Sequence, residues 1–218
     1  MPRPTTPLRV AHRGMPRLAV ENTIPSFELA LDAGAEGIEL DVHATRDGII
    51  VVHHDPTLPG GLAIRDLDHV AFLTAAPYAP ALRDVCATVR GRAELFVELK
   101  GAGIEQLVAE VLSHHDGAYA IHSFDHAAIA RLRESGTVLR LGVLYDGDED
   151  GLALMDRCGA MDLWPHFPLV TEDLVAGVHA RRGRVIPWTV NAAADVARLT
   201  AIGVDGLCTD DVRMLQRS

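Results

Sequence analysis

Strand and helix patterns alternate about eight times along 218 residues, and polar residues recur at the C-terminal ends of many of the strands. No Gly-x-Gly-x-x-Gly motif follows the first strand. These observations predict an α/β protein, a compact TIM (β/α)8 barrel with a short insertion after the second strand. A doubly wound open sheet shares the alternation and is the second choice. There is no low-complexity tract and no linker, so residues 1–218 are expected to form a single domain.

The elements follow from local pattern. Residues 8–11 form a short strand that stops at His12-Arg13-Gly14, and residues 24–33 have the apolar spacing of a helix, with Gly34 as its stop. In 37–43, Ile38, Leu40 and Val42 alternate with Glu39, Asp41 and His43, which places three ionisable side chains on one face of a strand. After the turn at Arg46-Asp47-Gly48, the apolar run 49–52 ends in His53-His54-Asp55-Pro56. Residues 54–82 read as an irregular insertion that caps the mouth. Within the less legible stretch 66–88, interrupted by Pro77 and Pro80, a helix is expected at 81–89. Strands at 95–100, 119–122, 139–144, 161–164, 185–190 and 206–208 alternate with helices at 104–112, 125–134, 151–158, 171–182 and 193–202, and a short helix ends the chain. Asp125 and Thr171 stand where N-caps belong.

Composition narrows the function. With 48% hydrophobic residues the chain can bury a full core, which excludes disorder. A net charge of −10 argues against a nucleic-acid partner, which requires a basic stripe. Cys86, Cys158 and Cys208 are few, odd in number and far apart, so they suggest buried thiols in a reducing compartment. No stretch is long and apolar enough for membrane insertion, and a cytoplasmic protein is expected. Oligomeric state has no signature.

In a barrel, side chains at strand C-termini converge on one open face. His12, Arg13, Glu39, Asp41, His54, Glu98 and Lys100 would meet there. Three clustered carboxylates raise one another's pKa, and a bound cation relieves that. Oxygen donors without cysteine point to a hard divalent cation, Mg²⁺ or Ca²⁺. Arg13 and Lys100 beside them suit a phosphate ester, and His12 and His54 are residues of the type suited to general acid–base chemistry at neutral pH. Taken alone, Glu98 and Lys100 would be a surface pair. His43, His53, His114, His115 and His179 suggest surface or structural roles, Arg46 and Asp47 a turn, and Trp164 and Trp188 core or mouth-lining aromatics.

His12-Arg13-Gly14, Glu21-Asn22-Thr23, Glu39-Leu40-Asp41-Val42 and His54-Asp55-Pro56-Thr57-Leu58 resemble the signature of the glycerophosphodiester phosphodiesterases. The match continues through Glu98-Leu99-Lys100, Ser123-Phe124-Asp125, Trp188-Thr189-Val190-Asn191 and residues 203–210, nearly the whole chain in order. The resemblance implies a TIM barrel that hydrolyses glycerophosphodiesters to sn-glycerol 3-phosphate and an alcohol with a divalent cation. It further implies Glu39, Asp41 and Glu98 as metal ligands, His12 and His54 as the acid–base pair, and Arg13 and Lys100 as phosphate-binding groups. The insertion after His-Asp-Pro is shorter than is usual in that family, and Ala79-Pro80-Ala81-Leu82-Arg83-Asp84 replaces a Pro-Thr-Leu-Glu-like helix start. The shortened insertion predicts a more open mouth that admits a different or larger alcohol group.

Three other functions share parts of this pattern. A lysophospholipase D acting on a lipid phosphodiester would need an apolar rim, for which Phe72, Leu73, Tyr78 and Phe167 are candidates. A non-catalytic phosphate-binding barrel would not need both histidines. An isomerase or aldolase would place its phosphate at the late strands, whereas this charged cluster lies on the early ones.

Overall fold

In the computed structural model, which describes residues 6–215, a nearly closed barrel of eight parallel strands is wrapped by helices. The first half runs β1 (Leu8–His12), α1 (Ile24–Asp32), β2 (Gly37–Ala44), β3 (Ile50–Val52), β4 (Thr57–Leu58), β5 (Leu62–Ala63), α2 (His69–Ala75) and α3 (Leu82–Val89). It continues through β6 (Glu94–Leu99), α4 (Glu105–Ser113), β7 (Tyr119–Ser123), α5 (His126–Glu134), β8 (Arg140–Tyr145) and α6 (Gly151–Cys158). The last part is β9 (Asp162–Pro165), α7 (Glu172–Ala180), β10 (Arg184–Val185), α8 (Ala193–Ile202), β11 (Gly206–Thr209) and a 3₁₀ turn at Val212–Leu215.

The parallel strands lie in the order β10-β9-β8-β7-β6-β2-β1-β11. The Asp205 amide donates to the Val185 carbonyl at 2.9 Å and the Cys208 amide to Pro187 at 3.0 Å, which brings the two ends of the sheet together. An open doubly wound sheet is thereby excluded. The expected strand at 185–190 is regular only to Val185. Pro187 has no N–H, and the amides beyond it bond singly, Trp188 to Pro165 and Val190 to Cys208.

Alternation along each strand separates two cores. Ile38, Leu40 and Val42 of β2, Leu95, Val97 and Leu99 of β6 and Ile121 of β7 face outward and pack with the helices. Val10, Phe96, Ala120, Leu144, Trp164, Ile186 and Cys208 fill the barrel interior. At the N-terminal end, Arg184 forms paired hydrogen bonds with Glu94 (both 2.8 Å) and Asp162 (2.7 and 2.9 Å), closing the bottom with charge.

Helix boundaries follow their caps. Thr23, Asp125 and Thr171 each accept a hydrogen bond from the first turn of α1, α5 and α7, and Gly159 ends α6 in the left-handed region with φ of 61°.

The insertion is more ordered than expected, and His54 is its one residue that lines the barrel pocket among the described residues. β3 pairs antiparallel with β2, the hairpin β4–β5 and α2 follow, and Val51, Leu58, Ile64, Phe72, Ala76 and Ala79 form a small core of their own. The proline-broken composition concealed α2, which the Asp68 side chain caps by accepting from the Ala71 amide. Among the described residues no helix is long and apolar enough to cross a membrane.

Candidate active site

The seven residues expected at the strand ends come together. Six of them, His12, Arg13, Glu39, His54, Glu98 and Lys100, line a pocket of about 250 Å³ at the C-terminal end of the barrel, and Asp41 lies buried against it. The rest of the lining is largely apolar, Phe124, Leu144, Trp164, Trp188 and Cys208, with His122 and Thr189 among them. Trp188 is locked by donating to the Trp164 carbonyl at 2.9 Å, and Phe124 meets it edge-on. Phe72 is instead fully buried within the insertion, and Leu73, Tyr78 and Phe167 do not line this pocket either. The rim imagined for a lipid chain is therefore absent from those positions. An aliphatic pattern identifies apolar residues but not which core they enter.

Each acid–base candidate is held through its ring. His12 Nδ1 lies 2.7 Å from Asp210 Oδ1, and Asp210 Oδ2 accepts from Asn191 Nδ2 at 2.7 Å. Asn191 Oδ1 in turn accepts from the Asp210 amide at 3.0 Å. His54 Nδ1 lies 2.8 Å from Asp55 Oδ1, while His43 Nε2 meets the His54 carbonyl at 3.0 Å. A carboxylate at Nδ1 fixes the Nδ1–H tautomer and leaves Nε2 to accept a proton. The hydrogen bond from His12 holds the Asp210 carboxyl below the usual carboxylate range. His43, expected in a structural role, has one.

The charged wall is compact. Arg13, at the left-handed φ of 54°, gives its amide to Glu39 Oε2 at 3.1 Å, sets Nε 3.1 Å from Asp41 Oδ2 and donates to Glu21 from Nη1 at 3.0 Å. Asn22 Nδ2 donates to the same Asp41 oxygen at 2.8 Å, and Lys100 Nζ sits 2.8 Å from Glu98 and 3.6 Å from Asp41. The Glu98–Lys100 pair is thus part of the site. Burial pushes the Glu39 carboxyl well above the carboxylate range, with Asp41 and Glu98 adding repulsion. Burial, then Asp41, lift Glu98 to about 7 against the pull of Lys100. For Asp41 burial alone would do the same, but Arg13, Lys100 and the Asn22 hydrogen bond outweigh it and lower the value.

This donor set fits a cation. Glu39 Oε1 and Asp41 Oδ1 are buried without a hydrogen-bond partner, and oxygen atoms in that state cost free energy unless something neutralises them. Among the described residues, Glu39, Glu98 and His122 bring potential ligand atoms within 4.8 Å of one another.

Sequence reasoning missed His122, Asp210 and Asn191 as participants. His122, the penultimate residue of β7, lies on the same face as Ala120, so strand parity was the available signal. Asp210 and Asn191 lie outside regular strands, where parity says nothing.

The sequence model of the glycerophosphoryl diester phosphodiesterase family matches residues 12–87 and 91–214. The chain belongs to this family. A glycerophosphodiester phosphodiesterase of Caldanaerobacter subterraneus is 31% identical, covering 95% of this chain and 96% of that protein. One from Bacillus altitudinis is 30% identical over 92% of this chain and 93% of its own. Among solved structures, a family member from Thermotoga maritima superposes with a TM-score of 0.83 at 25% identity, covering 95% of this chain and 96% of that one. A phosphodiesterase of Oleispira antarctica, determined with its product sn-glycerol-3-phosphate, gives 0.84 at 24% identity over 97% and 96%. Both structures share the fold of this chain.

Proposed function

We propose that this enzyme of the glycerophosphoryl diester phosphodiesterase family hydrolyses glycerophosphodiesters to sn-glycerol 3-phosphate and an alcohol, using a divalent cation and a histidine pair. The observation that carries the reading is the pocket itself: two carboxylate-held histidines share it with Arg13, Lys100 and a carboxylate cluster. A small-molecule phosphodiester is the matching ligand.

Arg13 and Lys100 would hold the phosphate, Arg13 with its forked donors and Lys100 as a point charge. The anchored carboxylates around both cations keep them charged and pre-oriented, so little reorganisation is needed when substrate arrives. The apolar wall of Trp188 and Phe124 leaves the carbon skeleton a dry surface. One of the two histidines takes the proton, at its Nε2, from the attacking oxygen of water or of the substrate's own glycerol hydroxyl, and the other, protonated, gives one to the departing alcohol oxygen; on the second route a cyclic phosphate forms first and water then opens it. Asp210 and Asp55 each stabilise the imidazolium form of the ring they hold.

Glu39 and Glu98 would hold the cation, with Asp41 as third carboxylate through its unbonded Oδ1. Such an ion offsets the carboxylate charge and polarises the phosphoryl oxygens.

The test is release of glycerol 3-phosphate from glycerophosphocholine, glycerophosphoethanolamine and glycerophosphoglycerol, with and without a chelator. Release that the chelator abolishes and added metal restores supports the reading. No release from any of them, with metal present, overturns it.

A further inference from the structure

The insertion and the β6–α4 connection line a second cavity beside the first. It measures about 660 Å³, and His43, Arg46, Thr57, Arg65, Lys100 and Gly101 are among its lining residues. Lys100 lines both cavities, and the hydrogen bond between His43 Nε2 and the His54 carbonyl, 3.0 Å, ties a wall of one to a wall of the other. The two spaces therefore meet at side chains assigned to phosphate binding and proton transfer.

Their linings differ in charge. Among the described residues no acidic side chain lines the second cavity, although the chain as a whole carries −10. The nearby carboxylates are engaged elsewhere. Asp68 accepts from Arg46 Nη2 at 2.9 Å and from the Ala71 amide, and Asp47 accepts from the Thr45 hydroxyl and the His69 amide. Arg46 is braced further by the Asp66 carbonyl at 3.0 Å. Arg65 is not braced. Its side chain is 87% exposed, and its one charge contact among the described residues is Asp66 at 3.9 Å, too long for a hydrogen bond. It stands on the 3₁₀ turn Ile64–Asp66, which the buried Ile64 anchors in the core of the insertion. The backbone is thus fixed while the guanidinium is left for a ligand.

A phosphodiester has two arms. The cavity of about 250 Å³, walled largely by apolar side chains, suits the arm that does not vary, the three-carbon glycerol. The larger, polar space suits the alcohol, whose size does vary. Resting on the reading that the pocket hydrolyses a glycerophosphodiester, we infer that the second cavity is the subsite for the departing alcohol, and that it favours alcohols bearing an anionic group of their own. Arg65 and Arg46 offer forked donors to a phosphate or carboxylate on that alcohol. A choline or ethanolamine cation meets like charge there, which adds discrimination against it.

The experiment compares glycerophosphoinositol 4-phosphate, glycerophosphoinositol and glycerophosphocholine, whose alcohols are anionic, neutral and cationic; the first two differ by one phosphate. With metal present, kcat/KM would be measured for wild type, Arg65→Gln and Arg65→Lys, at low and at high salt. The phosphorylated substrate should be favoured over both others by about fivefold, the upper range for an exposed charge contact, and through KM more than kcat. In Arg65→Gln, and for wild type at high salt, the preference should fall to about twofold or less, while Arg65→Lys keeps most of it. Arg65 is a surface residue, so its replacement does not endanger the fold. Turnover of all three within about twofold of one another, or a preference that Arg65→Gln leaves intact, overturns the subsite and leaves the proposed reaction standing. If none of the three is turned over, that reaction fails, and the subsite is read from calorimetric binding of glycerophosphoinositol 4-phosphate. Binding weakened by about threefold or more in Arg65→Gln supports it, and equal binding overturns it.

Discussion

At the scale of single residues, the proposed chemistry rests on two imidazoles whose protons are managed by neighbouring carboxylates. His12→Ala and His54→Ala should each lower kcat by a factor of ~100 or more, the usual worth of a positioned acid or base, while metal affinity stays near wild type. Turnover close to wild type in both would refute the pair. Asp210→Asn tests orientation. The amide keeps the shape of the side chain but can donate to Nδ1 and so support the wrong tautomer of His12. A fall in kcat of at least tenfold with little change in KM is expected, together with a shifted pH–rate profile. If Asp210 only braced the fold, the variant would lower the unfolding midpoint and leave the profile in place.

At the scale of elements, the β1–α1 connection carries the most chemistry in the fewest residues. His12 and Arg13 stand at the end of β1, and Gly14 follows with φ of 87°. A Cβ on Gly14 would lie 2.4 Å from Ser26 Oγ and 2.8 Å from the Ser26 backbone carbon. That hydroxyl accepts from the Met15 amide at 2.7 Å and ties the connection to α1. Gly14→Ala should therefore cost about 1–3 kcal/mol, measured as a shift in urea unfolding, and should raise KM by moving Arg13. An unchanged midpoint would show that the connection yields easily. The insertion after β2 behaves differently. It has its own core and, among the described residues, lines the pocket with His54.

For the whole molecule, charge is buried at both ends of the barrel for opposite purposes. At the bottom, Arg184 is matched by Glu94 and Asp162. Removing one partner strands the others, so Arg184→Leu should destabilise the protein by about 3–5 kcal/mol in urea unfolding, with turnover per folded molecule unchanged. Loss of less than about 1 kcal/mol would mean that Arg140, 2.6 Å from Asp162, carries the compensation alone. At the top, three carboxylates face two cations and leave acceptors unpaired, the imbalance a bound cation would satisfy.

What could be read directly was the order of strands and helices, the caps at Asp125 and Thr171, and the face of β2 that carries Glu39 and Asp41. All of these are set by neighbours within a few residues, through hydrogen bonding and side-chain parity. The seven strand-end residues were legible because a barrel sends every strand end to one face. Three things needed the tertiary structure. The insertion folded into an ordered unit because its apolar residues found partners among themselves, which no local pattern reveals. Asp210 and Asn191 reached His12 across almost the full length of the chain. His122 came to lie beside Glu39 and Glu98 through strand register and barrel stagger, which arise only when the sheet is assembled.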